Sequence, residues 1–123
     1  MADSPTSRTL QLLRAANYTA GGVEKWIPQT KQRIDLFGFI DLGALHKDDR
    51  GLLGVQATSG SNHAARRTKI MSIPAARLWC ECGNRLWIVS WTKSGAKGKR
   101  KLWTPRIEKL GAGDFDDAHP EAA

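Results

Sequence analysis

The chain is poor in cysteine, in tyrosine and in long apolar runs. Its two cysteines, Cys80 and Cys82, stand one residue apart. That spacing suits neither a CxxC redox motif nor a zinc knuckle, and so close a pair closes a disulfide only with strain. Both are expected to be ordinary reduced thiols. No apolar run approaches the ~18 residues of a membrane span. The opening MADSPTSRTLQLLRAA is too polar for a secretory signal peptide. These absences argue against a disulfide-stapled scaffold, a zinc module and a membrane partner, and the expectation is a soluble protein kept in the cytoplasm. A length of 123 residues suits one domain with a single core.

Acidic residues are also missing, but only from one region. Residues 61–110 carry 12 basic and 2 acidic side chains, whereas residues 1–60 carry 7 and 6, and residues 111–123 carry 4 acidic and none basic. The net charge of +7 is therefore concentrated in the second half of the domain. Such a segment attracts polyanions and releases their counterions on contact. Its densest part is the glycine-rich run KSGAKGKRK, with Lys97, Lys99, Arg100 and Lys101. A simply solvated basic surface is the alternative.

Periodicity gives the elements. Ser4 or Thr6 can cap a helix with Pro5 in its first turn, and Leu10, Leu13 and Ala16 repeat at helical spacing. Gly21-Gly22 reads as a break and VEKWIPQT as a strand, followed by the polar turn TKQR. IDLFGFIDLGAL is the most apolar stretch and reads as strand; HKDDRG is a loop; RGLLGVQATS is a further strand. HAARRTKIMS is a helix stopped by Pro74, and PAARLWCECG is a short helical stretch ending at Gly83. RLWIVSWT and KLWTPRIEKL are strands, the latter placed at a sheet edge by Pro105. Residues 1–110 then form one domain, and residues 111–123 an acidic, flexible tail. The fold class expected is α/β, a single mixed sheet flanked by helices, with three consecutive, mostly antiparallel strands over residues 23–58.

Two carboxylates, Asp35 and Asp41, interrupt the most apolar stretch, and Gln56 interrupts the next. A buried charge needs a partner. If the two strands pair around HKDDRG, Asp41 and Gln56 approach each other and offer hard oxygen ligands, which suit Mg²⁺ or Mn²⁺. Simpler roles stay open: Asp35 can pair with Arg33, His63 can be a solvent-facing helix residue, and Arg66, Arg67 and Lys69 can be a solvated helix face. The five tryptophans read mostly as core or sheet-face residues, with one or two free to stack on bases.

DLFGFIDLGAL followed by GVQATSGSNHAARRTKI resembles the PD-(D/E)xK, or restriction-endonuclease-like, nuclease superfamily, nearest to its Holliday-junction-resolvase-like and VRR-NUC-like branches, often carried by phages. The resemblance covers residues 5–92 and implies an α-β-β-β-α-β core, here with an extra C-terminal strand. It implies that Asp41 is the metal-binding aspartate, that Gln56 stands where a second acid would be and Thr58 where a lysine would be. It further implies that Glu24 is an additional acid, that the Ala57 carbonyl is a ligand, and that Lys69 or Arg66 supplies the missing cation. The activity implied is Mg²⁺- or Mn²⁺-dependent hydrolysis of phosphodiester bonds, in DNA rather than RNA, with branched or junction DNA as a candidate substrate and a homodimer as a candidate assembly. A catalytically inactive nucleic-acid-binding module of the same fold is the alternative, favoured by Thr58. A third reading is an accessory protein whose basic face meets an acidic protein partner.

The charge distribution generates a test. Affinity for duplex DNA is expected to fall with salt at a log–log slope near −0.9 per phosphate neutralised. Replacing Lys97, Lys99, Arg100 and Lys101 together should flatten that slope; an unchanged slope would place the interface on the helix that bears Arg66 and Arg67.

Overall fold

Ser4 starts the first helix. Its hydroxyl accepts the Ser7 N–H at 3.1 Å, Pro5 takes the first turn, and α1 runs Pro5–Ala15. The structure is a computed structural model that describes residues 4–117. After α1 come β1 (Thr19–Gly22), β2 (Lys25–Ile27), β3 (Gln32–Ile34), β4 (Leu42–Leu45) and β5 (Leu53–Ser59). A single 3₁₀ turn, Gly60–Asn62, leads into α2 (His63–Met71) and α3 (Pro74–Glu81), followed by β6 (Arg85–Ser94), β7 (Leu102–Leu110) and α4 (Ala112–Asp117).

Five strands form one mixed sheet in the order β1-β4-β5-β6-β7, with β5 and β6 parallel and every other pair antiparallel. The fold is α/β, one mixed sheet flanked by helices, as the patterning anticipates. Strand β5 is buried over all residues from Leu53 to Thr58, as a central strand covered on both faces must be. Alternation along β6 divides the core. Leu86 and Ile88 pack with Phe39, Ile40, Ile70, Trp79 and Phe115 on one face, while Val89 and Trp91 pack with Leu13, Leu42, Ala44, Leu53 and Val55 against α1 on the other. Gly54 sits where the two packing layers close in: a Cβ on it would lie 3.0 Å from Ile40 Cδ1 and from Trp79 Cζ2, closer than side chains normally pack. Both cysteines are free, Cys80 buried and Cys82 exposed. Among the described residues no helix is long and apolar enough to cross a membrane.

Four segments differ from the reading of the sequence. Gly21-Gly22 is no break but the end of edge strand β1, which pairs Ala20 with Ala44 and Gly21 with Gly43. The TAGG sequence has almost no side chain to pack, so its strand rests on backbone pairing that propensity does not register. The strand expected over VEKWIPQT shrinks to β2, which pairs with β3 in a two-stranded sheet of its own. The three leading strands of the main sheet are therefore β1, β4 and β5. IDLFGFIDLGAL is not continuous either: it turns at Phe37 (φ 56°) and Gly38 (φ 86°), closes a bridge between Leu36 and Ile40, and only then enters β4. The segment expected to be a flexible tail contributes α4, whose Phe115 is fully buried; residues 118–123 lie outside the described residues.

Phe115→Ala is accordingly expected to cost about 3 kcal/mol or more of unfolding free energy, as large-to-small core substitutions do. Urea unfolding checks it, and a loss below about 1 kcal/mol would mean that α4 adds little to the core.

Candidate functional site

The site lies where β4 falls short of β5. The last β4 residue in register is Leu42, opposite Val55, so β5 runs on from Gln56 to Ser59 with a partner only on its β6 side. Asp41 occupies the vacated position. Its N–H donates to the Val55 carbonyl and its carbonyl accepts from Val23 N–H, both at 2.9 Å. Its side chain then takes over part of the ladder: Asp41 Oδ2 accepts the Ala57 N–H at 2.9 Å and the Gln56 Nε2 amide at 2.7 Å. The approach of Asp41 and Gln56 expected from the sequence is thus present, with both residues buried.

Two further carboxylates close on Asp41. Glu24 immediately precedes β2 and Asp35 immediately follows β3, so the small hairpin delivers both from its two roots. One carboxylate oxygen from each of Glu24, Asp35 and Asp41 lies within 4.8 Å of the others. Burial pushes the Asp41 carboxyl up to about 8, with a hydrogen bond to Asp35 and the charges of Asp35 and Glu24 adding to the rise and the Ala57 N–H opposing it. The rise favours the protonated carboxyl wherever no cation takes the proton's place. Three carboxylate donors at this spacing are a hard-oxygen set that fits a small divalent ion.

The cluster opens into a cavity of about 450 Å³, lined also by Thr6 of α1, Arg33, Ile34, Gly38, Gln56, Ala57, and Arg66 and Lys69 of α2. Carboxylates and cations thus share one cavity. Arg33 Nη1 bonds Glu24 Oε1 at 3.3 Å. The sequence suggested Asp35 as the partner of Arg33; the cross-strand geometry brings Glu24 instead. From the sequence alone Thr6 is a candidate helix cap and Arg33 a partner of Asp35, and neither is given a place in the cavity lining. A basic residue two positions before Asp35 was the available signal for Arg33, but it was absorbed into the TKQR turn.

The remaining candidates are placed as follows. Thr58 is buried, opposite Ser90 in the β5–β6 register, and is not part of the cavity lining. Arg67 turns away from the cavity lining and bonds Glu108 Oε2 through Nε at 2.7 Å. Lys97, Lys99, Arg100 and Lys101 are exposed in the turn between β6 and β7. His63 is not solvent-facing. It is buried at the start of α2, with Nδ1 2.6 Å from Ser90 Oγ and Nε2 2.9 Å from Glu108 Oε1. Burial works to raise the Glu108 carboxyl, but the hydrogen bonds and charges of Arg67 and His63 prevail and hold it below its ordinary value.

Comparison of the chain with family models, curated proteins and solved structures finds no match.

The raised Asp41 carboxyl has a consequence for stability. A carboxyl whose folded pKa lies above its unfolded one binds its proton more tightly in the folded state, so stability is lost as pH rises from about 4 through about 8. In EDTA the melting temperature of the wild type should therefore fall between pH 5 and pH 8 more steeply than that of Asp41→Asn. Excess Mg²⁺ or Mn²⁺ should recover more of it at pH 8 than at pH 5, because ligation displaces the proton. Parallel pH profiles for wild type and Asp41→Asn would contradict this.

Proposed function

We propose that this chain is a metal-dependent nuclease that hydrolyses phosphodiester bonds in DNA, with branched or junction DNA as the candidate substrate. One observation carries the reading: three carboxylates within 4.8 Å of one another share a cavity with Arg33, Arg66 and Lys69. Carboxylates alone suit a cation, and cations alone suit a phosphate. Both together suit a phosphate held beside a metal. The resemblance of the DLFGFIDLGAL and GVQATS segments to the PD-(D/E)xK superfamily points the same way. The reading carries with it Mg²⁺ or Mn²⁺ as cofactor, a nucleic-acid partner and a cytoplasmic setting.

Glu24, Asp35 and Asp41 would hold the ion, and Gln56 and the Ala57 carbonyl, whose residues line the same cavity, would offer further oxygens. A divalent ion there would polarise the phosphate and lower the pKa of a bound water. The protein's own part is positional. The Ala57 N–H and the Gln56 amide fix the Asp41 carboxylate, so that it need not reorganise when it ionises. Arg66 and Lys69, one turn apart on α2, supply positive charge for a phosphate in the cavity. They take over the task that the family pattern gives to a lysine at position 58, and Thr58 is free to serve as a buried strand residue.

Incubation with branched, linear and single-stranded substrates, in Mg²⁺, Mn²⁺ or EDTA, tests this. Asp41→Ala should abolish cleavage while leaving DNA binding in EDTA intact, because the carboxylate is needed to hold the metal, whereas its protonated form carries no charge to repel phosphate. Lys69→Ala and Arg66→Ala should each slow cleavage, by on the order of 10²-fold where the cation meets the developing charge. Thr58→Lys should add little. Metal-dependent cleavage by neither the wild type nor Thr58→Lys on any substrate would leave the non-catalytic binding module as the reading, with Thr58 as its signature.

A further inference from the structure

The β2–β3 hairpin is the one strand pair outside the main sheet among the described residues. Over residues 25–34 it carries Lys25, Lys31 and Arg33 and no acidic residue, and every residue but Ile27 is exposed. Trp26, in its first strand, is 50% exposed and lies directly across from Arg33. Side chains directly opposite in an antiparallel pair share a face, so Trp26 and Arg33 stand on the same face of the hairpin. Arg33 also lines the cavity. Thus the hairpin is rooted in two of the three clustered carboxylates and bears an open aromatic surface beside the cavity's own arginine.

We infer that this hairpin is a nucleic-acid-binding arm that engages an unpaired stretch of the substrate, with Trp26 stacked on a base next to the phosphate in the cavity. The inference deepens the nuclease reading and rests on it. Two exposed lysines, Lys25 and Lys31, beside an Arg33 that is paired with Glu24 at the hairpin root, favour a polyanion over an apolar partner. Stacking favours an unpaired segment, because a base inside a duplex hides both of its π-faces while a single-stranded or splayed base offers one. Arg33, on the same face and lining the cavity, places positive charge between that base and the carboxylates. A strand held along the hairpin is led to the carboxylates at its roots, so the geometry selects a phosphate at or beside a break in pairing, such as a flap, a fork or a junction arm.

The test is equilibrium binding of fluorescently labelled oligonucleotides, a single strand and a blunt duplex, in EDTA so that no cleavage competes. Trp26→Ala should weaken single-strand binding about tenfold, the size of one lost base stack, and blunt-duplex binding less than twofold. Trp26→Phe should retain most of the single-strand affinity. Replacing Lys25 and Lys31 by Gln should flatten the single-strand salt slope by about 1.4, two contacts at about 0.7 each. Circular dichroism and melting temperature establish that each variant is folded, which is expected because the hairpin lies outside the five-stranded sheet. Unchanged single-strand affinity in Trp26→Ala, or an equal loss on both substrates, would overturn the inference while leaving the nuclease reading in place if the wild type still cleaves. A wild type that neither binds nor cleaves any of these nucleic acids would overturn both.

Discussion

Burying a carboxyl beside two others is costly, and the way in which Asp41 is held shows how the fold meets that cost. The sheet gives it two donors, the Ala57 N–H and the Gln56 amide, at the point where β4 leaves β5 unpaired. Its own backbone is bonded on both sides, to Val55 and to Val23. What remains uncompensated is the negative charge shared with Glu24 and Asp35, and it is expressed as a carboxyl raised to about 8. Shortening of β4, the turn at Phe37–Gly38 and the hairpin between Glu24 and Asp35 all serve this one arrangement. Remove Asp41, and a stretch of β5 has an open flank and the hairpin roots have no third member.

A second polar chain sets the other wall of the cavity. Ser90 on β6, His63 at the start of α2, Glu108 on β7 and Arg67 on α2 are linked by contacts of 2.6–2.9 Å. They tie two turns of α2 to two strands. Arg66 and Lys69 belong to the same helix and line the cavity, so the network fixes where those cations stand. The order Ser–His–Glu superficially suggests a nucleophile and its base, but Ser90 is 1% exposed, and the chain is better understood as a clamp.

The sequence was most legible where side chains carry the structure. The apolar alternation of β6, the capped α1, the basic α2 and the proximity of Asp41 to Gln56 follow from period and residue type. It was least legible where backbone does. β1 is a strand of threonine, alanine and two glycines whose middle pairs with alanine and glycine, and its sequence looks like a break. The turn inside IDLFGFIDLGAL depends on a phenylalanine and a glycine at positive φ, and of these only the glycine could be suspected. His63 looked like a surface residue because its partners, Ser90 and Glu108, are 27 and 45 positions away. Phe115 sits among acids, and only the tertiary packing shows that an aromatic in that company belongs to the core.

Strand β7 ends the sheet, with nine residues along an open edge. An edge of that length is a template on which another extended chain could add itself and start an aggregate. Pro105 stands near its middle, opposite Trp91. A proline is tolerated in a sheet because its missing donor falls on the unpaired side, so an incoming strand finds the row of amides interrupted at its centre. Arg106 and Lys109 add positive charge to the same strand, and charged side chains along an edge are a further means of blunting it. The basic character of this half of the chain thus reaches the very edge at which another strand would add.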